Sequence, residues 1–259
     1  MWLTLFILDV LIMLLCWLVS VYNQRAGIVD VAWSLSIACN IILGFYLFDH
    51  APYIVQLLIG IGSSLWFLRL SWHLLRRYLK EKHEDQRYAS MRQAMGNWQS
   101  VGFLLFFMFQ AVLAFLFSLP MLLLLEVPES LWNTWTVPVT LCAACLMFMA
   151  LIGETIADQQ LYHFKQDPKH HGQTMNQGLW RYSRHPNYFF EWLHWFTYPI
   201  LASACGLWIL WIYPVLMWLF LYYLTGIPFS ERQAIRHRGQ NYRDYQQRTS
   251  MFIPWKPKQ

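Results

Sequence analysis

Charge is scarce in this chain. Only 13% of its 259 residues are Asp, Glu, Lys or Arg, about half the share found in soluble globular domains, while 57% are hydrophobic. The shortage of charge excludes an ordinary soluble domain, and the apolar content excludes a disordered chain. Complete metal-ligand motifs are missing as well. Cys142 and Cys145 have the spacing of a metal clip, but no histidine or second cysteine pair stands beside them, so they read as a thiol pair on one helix face. All five cysteines, Cys16, Cys39, Cys142, Cys145 and Cys205, lie inside apolar runs, and an odd number there argues against a disulfide framework. The first apolar run starts at Met1 with neither a basic flank nor a small-residue cleavage site, so a retained span is expected rather than a signal peptide. The net charge of +5 is spread over short loops and forms no single basic face, so nucleic acid is not an expected partner.

Long apolar stretches are what the chain has instead. A membrane-spanning helix needs about 20 mostly apolar residues, and seven stretches qualify: 2–22, 28–48, 53–75, 101–125, 134–157, 187–204 and 206–225. The last two are short and meet near Cys205-Gly206, so a broken hairpin is the alternative there. The expected fold is an all-α polytopic membrane bundle of about seven transmembrane helices. It forms one integral-membrane domain over 1–259, with 226–259 as a cytoplasmic amphipathic segment.

The basic residues test this arrangement, because cytoplasmic loops collect Lys and Arg. Eighteen of the 19 fall in alternate loops and the tail, including Arg76, Arg77, Lys80, Lys82, Lys165 and Arg181; the nineteenth, Arg69, lies inside a span. That split places the N-terminus outside and the C-terminus in the cytoplasm. A polar ligand then approaches from the cytoplasm and an apolar one from the lipid.

Ionisable groups within spans are costly and usually face a bundle interior or an aqueous cavity, which singles out Asp30, Arg69, His73, Glu154, Asp158, Glu191 and His194. Arg69 is also explained by snorkelling of its long side chain to the interface. The densest polar segment runs from Gln177 to Glu191. Gly178 permits a tight turn, and Pro186 suits the first turn of a helix. A helix N-terminus beside Arg181, Arg184 and His185 makes an anion site suited to a phosphate. A positive flank for lipid headgroups explains the arginines equally well, but not Asn187, Tyr188 and Glu191 just beyond. Glu84 to Arg92 carries too many opposite charges for a lipid-attracting patch, so internal pairing or ligand contact is expected. The tail after Gly226 reads as a basic amphipathic helix with an aromatic anchor at Trp255. The 18% aromatic content is divided between such anchors and the walls of an apolar cavity.

Gly178-Leu179-Trp180-Arg181-Tyr182-Ser183-Arg184-His185-Pro186-Asn187-Tyr188, with Glu191, resembles the C-terminal signature of a bacterial integral-membrane family related to steroid 5-alpha-reductases. Asp30 to Trp33, Glu84 to Arg92 and Gly226 to Trp255 fit the same group, so the resemblance covers most of the chain. It implies NADPH as cofactor, held by Arg69, Arg77, Asp158, Lys165 and Asn187, with Arg181, Tyr182, Arg184, His185 and Tyr188 of the motif completing the site. Asp30 and Glu191 are the acids it places at the catalytic position. Phe190 stands where the family often has glycine, and no Gln-Glu pair on the second span matches the mammalian enzymes. The implied reaction is hydride transfer to the double bond of an apolar steroid-like or isoprenoid enone, at a bacterial inner membrane with the cofactor site facing the cytoplasm. The partners are then an apolar small molecule or lipid substrate and the membrane lipids. The Arg-His-Pro-x-Tyr core is also similar to isoprenylcysteine carboxyl methyltransferases and phospholipid N-methyltransferases. An S-adenosylmethionine-dependent methyltransferase and a non-catalytic lipid-binding protein therefore stand as alternatives.

Overall fold

The computed structural model describes every residue except Lys82, Thr225 and Gln259. The place of Lys82 among the cytoplasmic basic residues, of Thr225 at the end of the seventh stretch and of Gln259 in the tail segment lie outside the described residues. Among the described residues all regular structure is helical, and six helical runs are long and apolar enough to cross a membrane. The chain is an all-α, polytopic integral membrane protein. It divides into two compact units, Met1–Val137 and Pro138–Gln259.

The N-terminal unit holds α1 (Trp2–Asn23), α2 (Ile28–Leu47), α3 (Tyr53–Lys80), α4 (Gln86–Met95) and α5 (Gln99–Glu126). The second of these is the centre, packing against α1, α3 and α5. Its most apolar window is 56% buried, against 22% for that of α1, so α1 is the helix left to lipid. Leu3, Leu11 and Leu15 accordingly face outward. A helix that is apolar all round and little buried suits hydrocarbon and not water. Three polar residues tie this apolar unit together. Asn40 Nδ2 of α2 donates to Asp9 Oδ2 of α1 at 2.8 Å and to Ser118 Oγ of α5 at 3.2 Å. All three side chains are fully buried, so the bonds fix helix register where packing among Leu and Phe alone discriminates weakly.

The C-terminal unit takes most of α6 (Thr136–Gln166), then α7 (Pro186–His194), α8 (Thr197–Ala202), α9 (Ile212–Leu219), α10 (Ile227–Arg238) and α11 (Gln240–Arg248). Here the expected helix count changes. The sixth stretch is not one spanning helix but the pair α7 and α8, separated by a turn at Trp195 and Phe196. Pro199 has no N–H to return to the carbonyl of Trp195, so the ladder stops and restarts. At 1.5 Å per residue, nine-residue α7 is roughly 14 Å long, less than half a hydrocarbon core. The amphipathic tail likewise forms two helices, broken at Gly239 with φ of 54°.

Candidate functional site

In the N-terminal unit, the charges of α2, α3 and α4 form one closed network. Asp85 caps α4, accepting the backbone N–H of Arg87 at 2.9 Å, and its carboxylate also takes the side chains of Arg87 (3.1 Å) and Arg77 (3.2 Å). Arg77 reaches Glu81 as well, at 2.9 Å. Arg87 extends to Asp30 Oδ2 at 2.8 Å, and Tyr88 OH donates to the other Asp30 oxygen at 2.6 Å. Glu84 accepts two N–H groups of Arg92, both at 2.9 Å, and the backbone N–H of Ala26 at 2.8 Å. Burial pushes the Asp85 and Glu84 carboxyls up, but the bonds and charges of Arg87 and Arg92 outweigh it and hold both below the ordinary carboxylate range. The opposite charges of Glu84 to Arg92 thus pair internally. Arg77, expected at a cofactor phosphate, is held by two carboxylates. Asp30, expected as a catalytic acid, accepts from Arg87 on one carboxylate oxygen and from Tyr88 on the other. Arg69, on α3, has its guanidinium 5.9 Å from the Trp66 ring.

The C-terminal unit builds its site on the turn before α7. Gly178 takes φ of +57°, as the tight turn requires, and a Cβ there would lie 2.5 Å from the Gln160 side chain. Gln160 instead accepts Leu179 N–H at 2.9 Å, and the Trp180 indole donates to Ala157 O at 3.0 Å, so the turn is fastened to α6. Ser183 Oγ donates to Phe252 O at 2.7 Å and accepts His185 N–H at 3.1 Å. Next comes a clasp centred on Glu231 of α10. Arg184 Nε donates to Glu231 Oε1 at 2.7 Å, and its Nη1 to the carbonyls of Gln246 (2.9 Å) and Thr249 (2.8 Å). Gln246 Nε2 holds the other Glu231 oxygen at 2.7 Å, and His185 Nε2 lies 3.4 Å from Oε1. Tyr245 OH donates to the carbonyls of Trp180 and Ser183. Burial pushes the His185 imidazole down, only partly offset by Glu231.

Arg184 and His185 were expected at a cofactor phosphate. The structure makes them the pin that fastens α10, α11 and the final segment onto the turn before α7, with both side chains buried. Tyr188 stacks on His185, ring centroids 5.5 Å apart, and its hydroxyl is 3.3 Å from Ser230 Oγ. Arg181 and Tyr182 are exposed, as is Lys165 near the end of α6. The clasp partners Ser230, Glu231, Tyr242 and Gln246 were not among the expected site residues. Glu231 carried the only signal, as the one acidic residue in the first turns of a basic tail.

Beyond the clasp, α7 faces α6. Asn187 Nδ2 donates to Asp158 Oδ1 at 3.3 Å, while its Oδ1 is buried with no hydrogen-bond partner. Glu191, four residues on and so on the same face, is buried, and its Oε1 accepts the Trp195 indole at 3.3 Å. His194 and Tyr198, both fully buried, meet at 2.7 Å. Phe190 is accommodated from the other side. A Cβ at Gly153 would lie 2.4 Å from its ring, so the small residue that α6–α7 packing needs sits on α6.

A family model described as a protein of unknown function, DUF1295, matches residues 16–249. An uncharacterized protein of the fission yeast Schizosaccharomyces pombe is 25% identical over 264 residues, covering 92% of this chain and 75% of its own length. No solved structure matches. The chain belongs to the DUF1295 family.

Proposed function

We propose that the protein is an NADPH-dependent membrane reductase acting on the double bond of an apolar, steroid-like or isoprenoid enone. Its family is the steroid 5-alpha-reductase-like group, and the signature from Gly178 to Glu191 supports the same reading. The observation that carries the proposal is Asn187. A buried amide oxygen without a donor costs about 1–3 kcal/mol, and its Nδ2 is turned toward Asp158, so the oxygen is kept as an acceptor. The carboxamide NH2 of a nicotinamide is a donor of the right kind. The residues present therefore fit the cofactor, which when bound supplies a hydride for the carbon conjugated to a carbonyl.

The chain's own part is orientation and proton control. Asn187 and Asp158 would hold the polar end of the ring, and the apolar faces of α6 and α7 would exclude water. Glu191, on the same helix face as Asn187 and buried, is the acid that would polarise the substrate carbonyl, where charge would develop. Asp30 is given no proton-donating role, because Arg87 and Tyr88 already occupy its oxygens. On this reading the cofactor would enter from the side of the basic loops, which the positive-inside rule makes cytoplasmic.

The test compares NADPH, NADH and S-adenosylmethionine by thermal shift on detergent-solubilised protein, since a ligand that binds the folded state raises its apparent stability. Stabilisation by NADPH that disappears in Asn187→Ala supports the reading. Stabilisation by S-adenosylmethionine with none by NADPH overturns it in favour of methyl transfer.

A further inference from the structure

In the N-terminal unit the junction of Asp9, Asn40 and Ser118 joins α1, α2 and α5 but leaves two oxygens without a donor. Asn40 Nδ2 directs its hydrogens to Asp9 Oδ2 at 2.8 Å and Ser118 Oγ at 3.2 Å. Asp9 Oδ1 and Asn40 Oδ1 are both buried with no hydrogen-bond partner, and both side chains are 0% exposed. The hydroxyls at hand do not supply the missing donor. Ser118 gives its proton to Phe115 O at 2.7 Å, and Ser36, one turn before Asn40 on the same face of α2, is itself without a partner.

An ionised Asp9 is costly here. A carboxylate moved from water into hydrocarbon takes up a proton unless a cation stands beside it. The helices packed against α1 are α2 and α5, and none of the three contains Lys, Arg or His. Their other titratable groups, Cys16, Tyr22, Asp30, Cys39, Tyr46 and Glu126, bring no positive charge. One proton answers both shortages. On Asp9 Oδ1 it removes the charge and turns that oxygen into a donor, and Asn40 Oδ1 is the buried acceptor that lacks one. Acid and amide then exchange two opposed hydrogen bonds, N–H to Asp9 Oδ2 and O–H to Asn40 Oδ1.

We propose that Asp9 is a proton-binding site, which in the folded protein at neutral pH holds a proton on Oδ1 and shares it with Asn40. Asp9 lies about two turns after the start of α1 and Asn40 about two turns before the end of α2, so both sit roughly 10 Å from those helix ends. These ends are opposite the loops that carry Arg25 and Arg76 to Arg92, and the proton comes from water on that side. It fastens α1, the helix left to lipid, onto α2 and α5; its loss leaves a bare carboxylate in the seam. None of Asn187, Asp158 and Glu191 takes part, so the proton site stands whatever reaction they serve.

The experiment compares the parent with Asp9→Asn in detergent, by infrared difference spectroscopy at neutral pH and by reversible unfolding across a pH series at fixed ionic strength. Asn at position 9 is neutral throughout, and its amide N–H replaces the acid O–H. The parent is expected to show the carbonyl band of a protonated carboxyl that Asp9→Asn lacks. In the unfolded chain Asp9 ionises near pH 4, so the proton's stabilisation is complete below about that pH. Above it the folding equilibrium of the parent, relative to Asp9→Asn, falls about tenfold per pH unit for as long as the folded carboxyl keeps its proton. His185, Glu84 and Asp85 are common to both proteins and cancel in the comparison. The proposal is overturned if the band is absent, or if the two stabilities run parallel over the series. Stabilisation of the parent alone by sodium also overturns it, since a metal ion then takes the proton's place.

Discussion

The two units treat charge in opposite ways. In the N-terminal unit the carboxylates of Asp30, Glu84 and Asp85 are each met by an arginine, with Tyr88 and the Ala26 amide filling remaining positions. In the C-terminal unit one carboxylate, Glu231, gathers an arginine, a histidine and a glutamine, while Asn187 and Thr174 nearby keep buried oxygens without donors. A satisfied network is a fastening. Buried groups left unsatisfied cost stability; the N-terminal unit also holds some, Asp9 Oδ1 and Asn40 Oδ1 among them, but outside this charge network.

The largest effect expected from this contrast is at Arg184. Arg184→Ala leaves the largely covered Glu231, its side chain 14% exposed, without its main counter-charge and two carbonyls without a donor, a loss of about 3 kcal/mol. Thermal unfolding in detergent should show the collapse, with Arg184→Lys recovering only part because an ammonium cannot reproduce the fork. Arg92→Ala, removing a two-bond contact to Glu84 whose side chain is only 12% exposed, should cost about 2 kcal/mol in the same assay. A ligand site at Asp30 would make Asp30→Asn lose cofactor binding; the closed network instead expects binding to be kept.

Steric fit gives the next effect. Gly153→Ala drives a methyl against the Phe190 ring and should destabilise by about 1–3 kcal/mol, and the double change Gly153→Ala with Phe190→Gly should recover most of it. Acid separates the units by position. The depressed His185 imidazole means that the unfolded chain binds its proton first, so this contribution is complete above the ordinary histidine value near pH 6.5 and is lost as pH falls below it. Glu84 and Asp85 are depressed carboxyls, whose contribution is complete above roughly pH 4 and is lost below. Hydrogen exchange followed through an acid titration should therefore open α10 and α11 before α4; the reverse order would remove the contrast. The smallest stability effect belongs to Asn187→Ala. Deleting a half-unsatisfied amide should shift unfolding by less than about 1 kcal/mol, while abolishing stabilisation by NADPH.

Much of the fold was legible from periodicity and charge. Six of the seven expected stretches coincide with long apolar helical runs, because about 20 apolar residues in a row admit few other structures. The stretch 187–204 was the weak point, and it is there that the turn at Trp195 and Phe196 divides α7 from α8. In the site, the turn at Gly178 and the helix start at Pro186 were readable from backbone chemistry alone. The partners of Arg184 within the chain were not legible, for a physical reason. An arginine in a motif carries the same charge whether it meets a phosphate or a buried glutamate 47 residues later, and only the approach of α10 decides between them.

Sequence alone determined that this chain lives in a membrane, that it is helical throughout and that its polar chemistry gathers in a few segments, because low charge and long apolar runs leave no other solvent for it. Tertiary structure decided which of the scarce charges are neutralised within the chain and which polar atoms are left waiting. Hydrogen bonds between residues distant in sequence depend on where helices meet, and that meeting is written in no single segment.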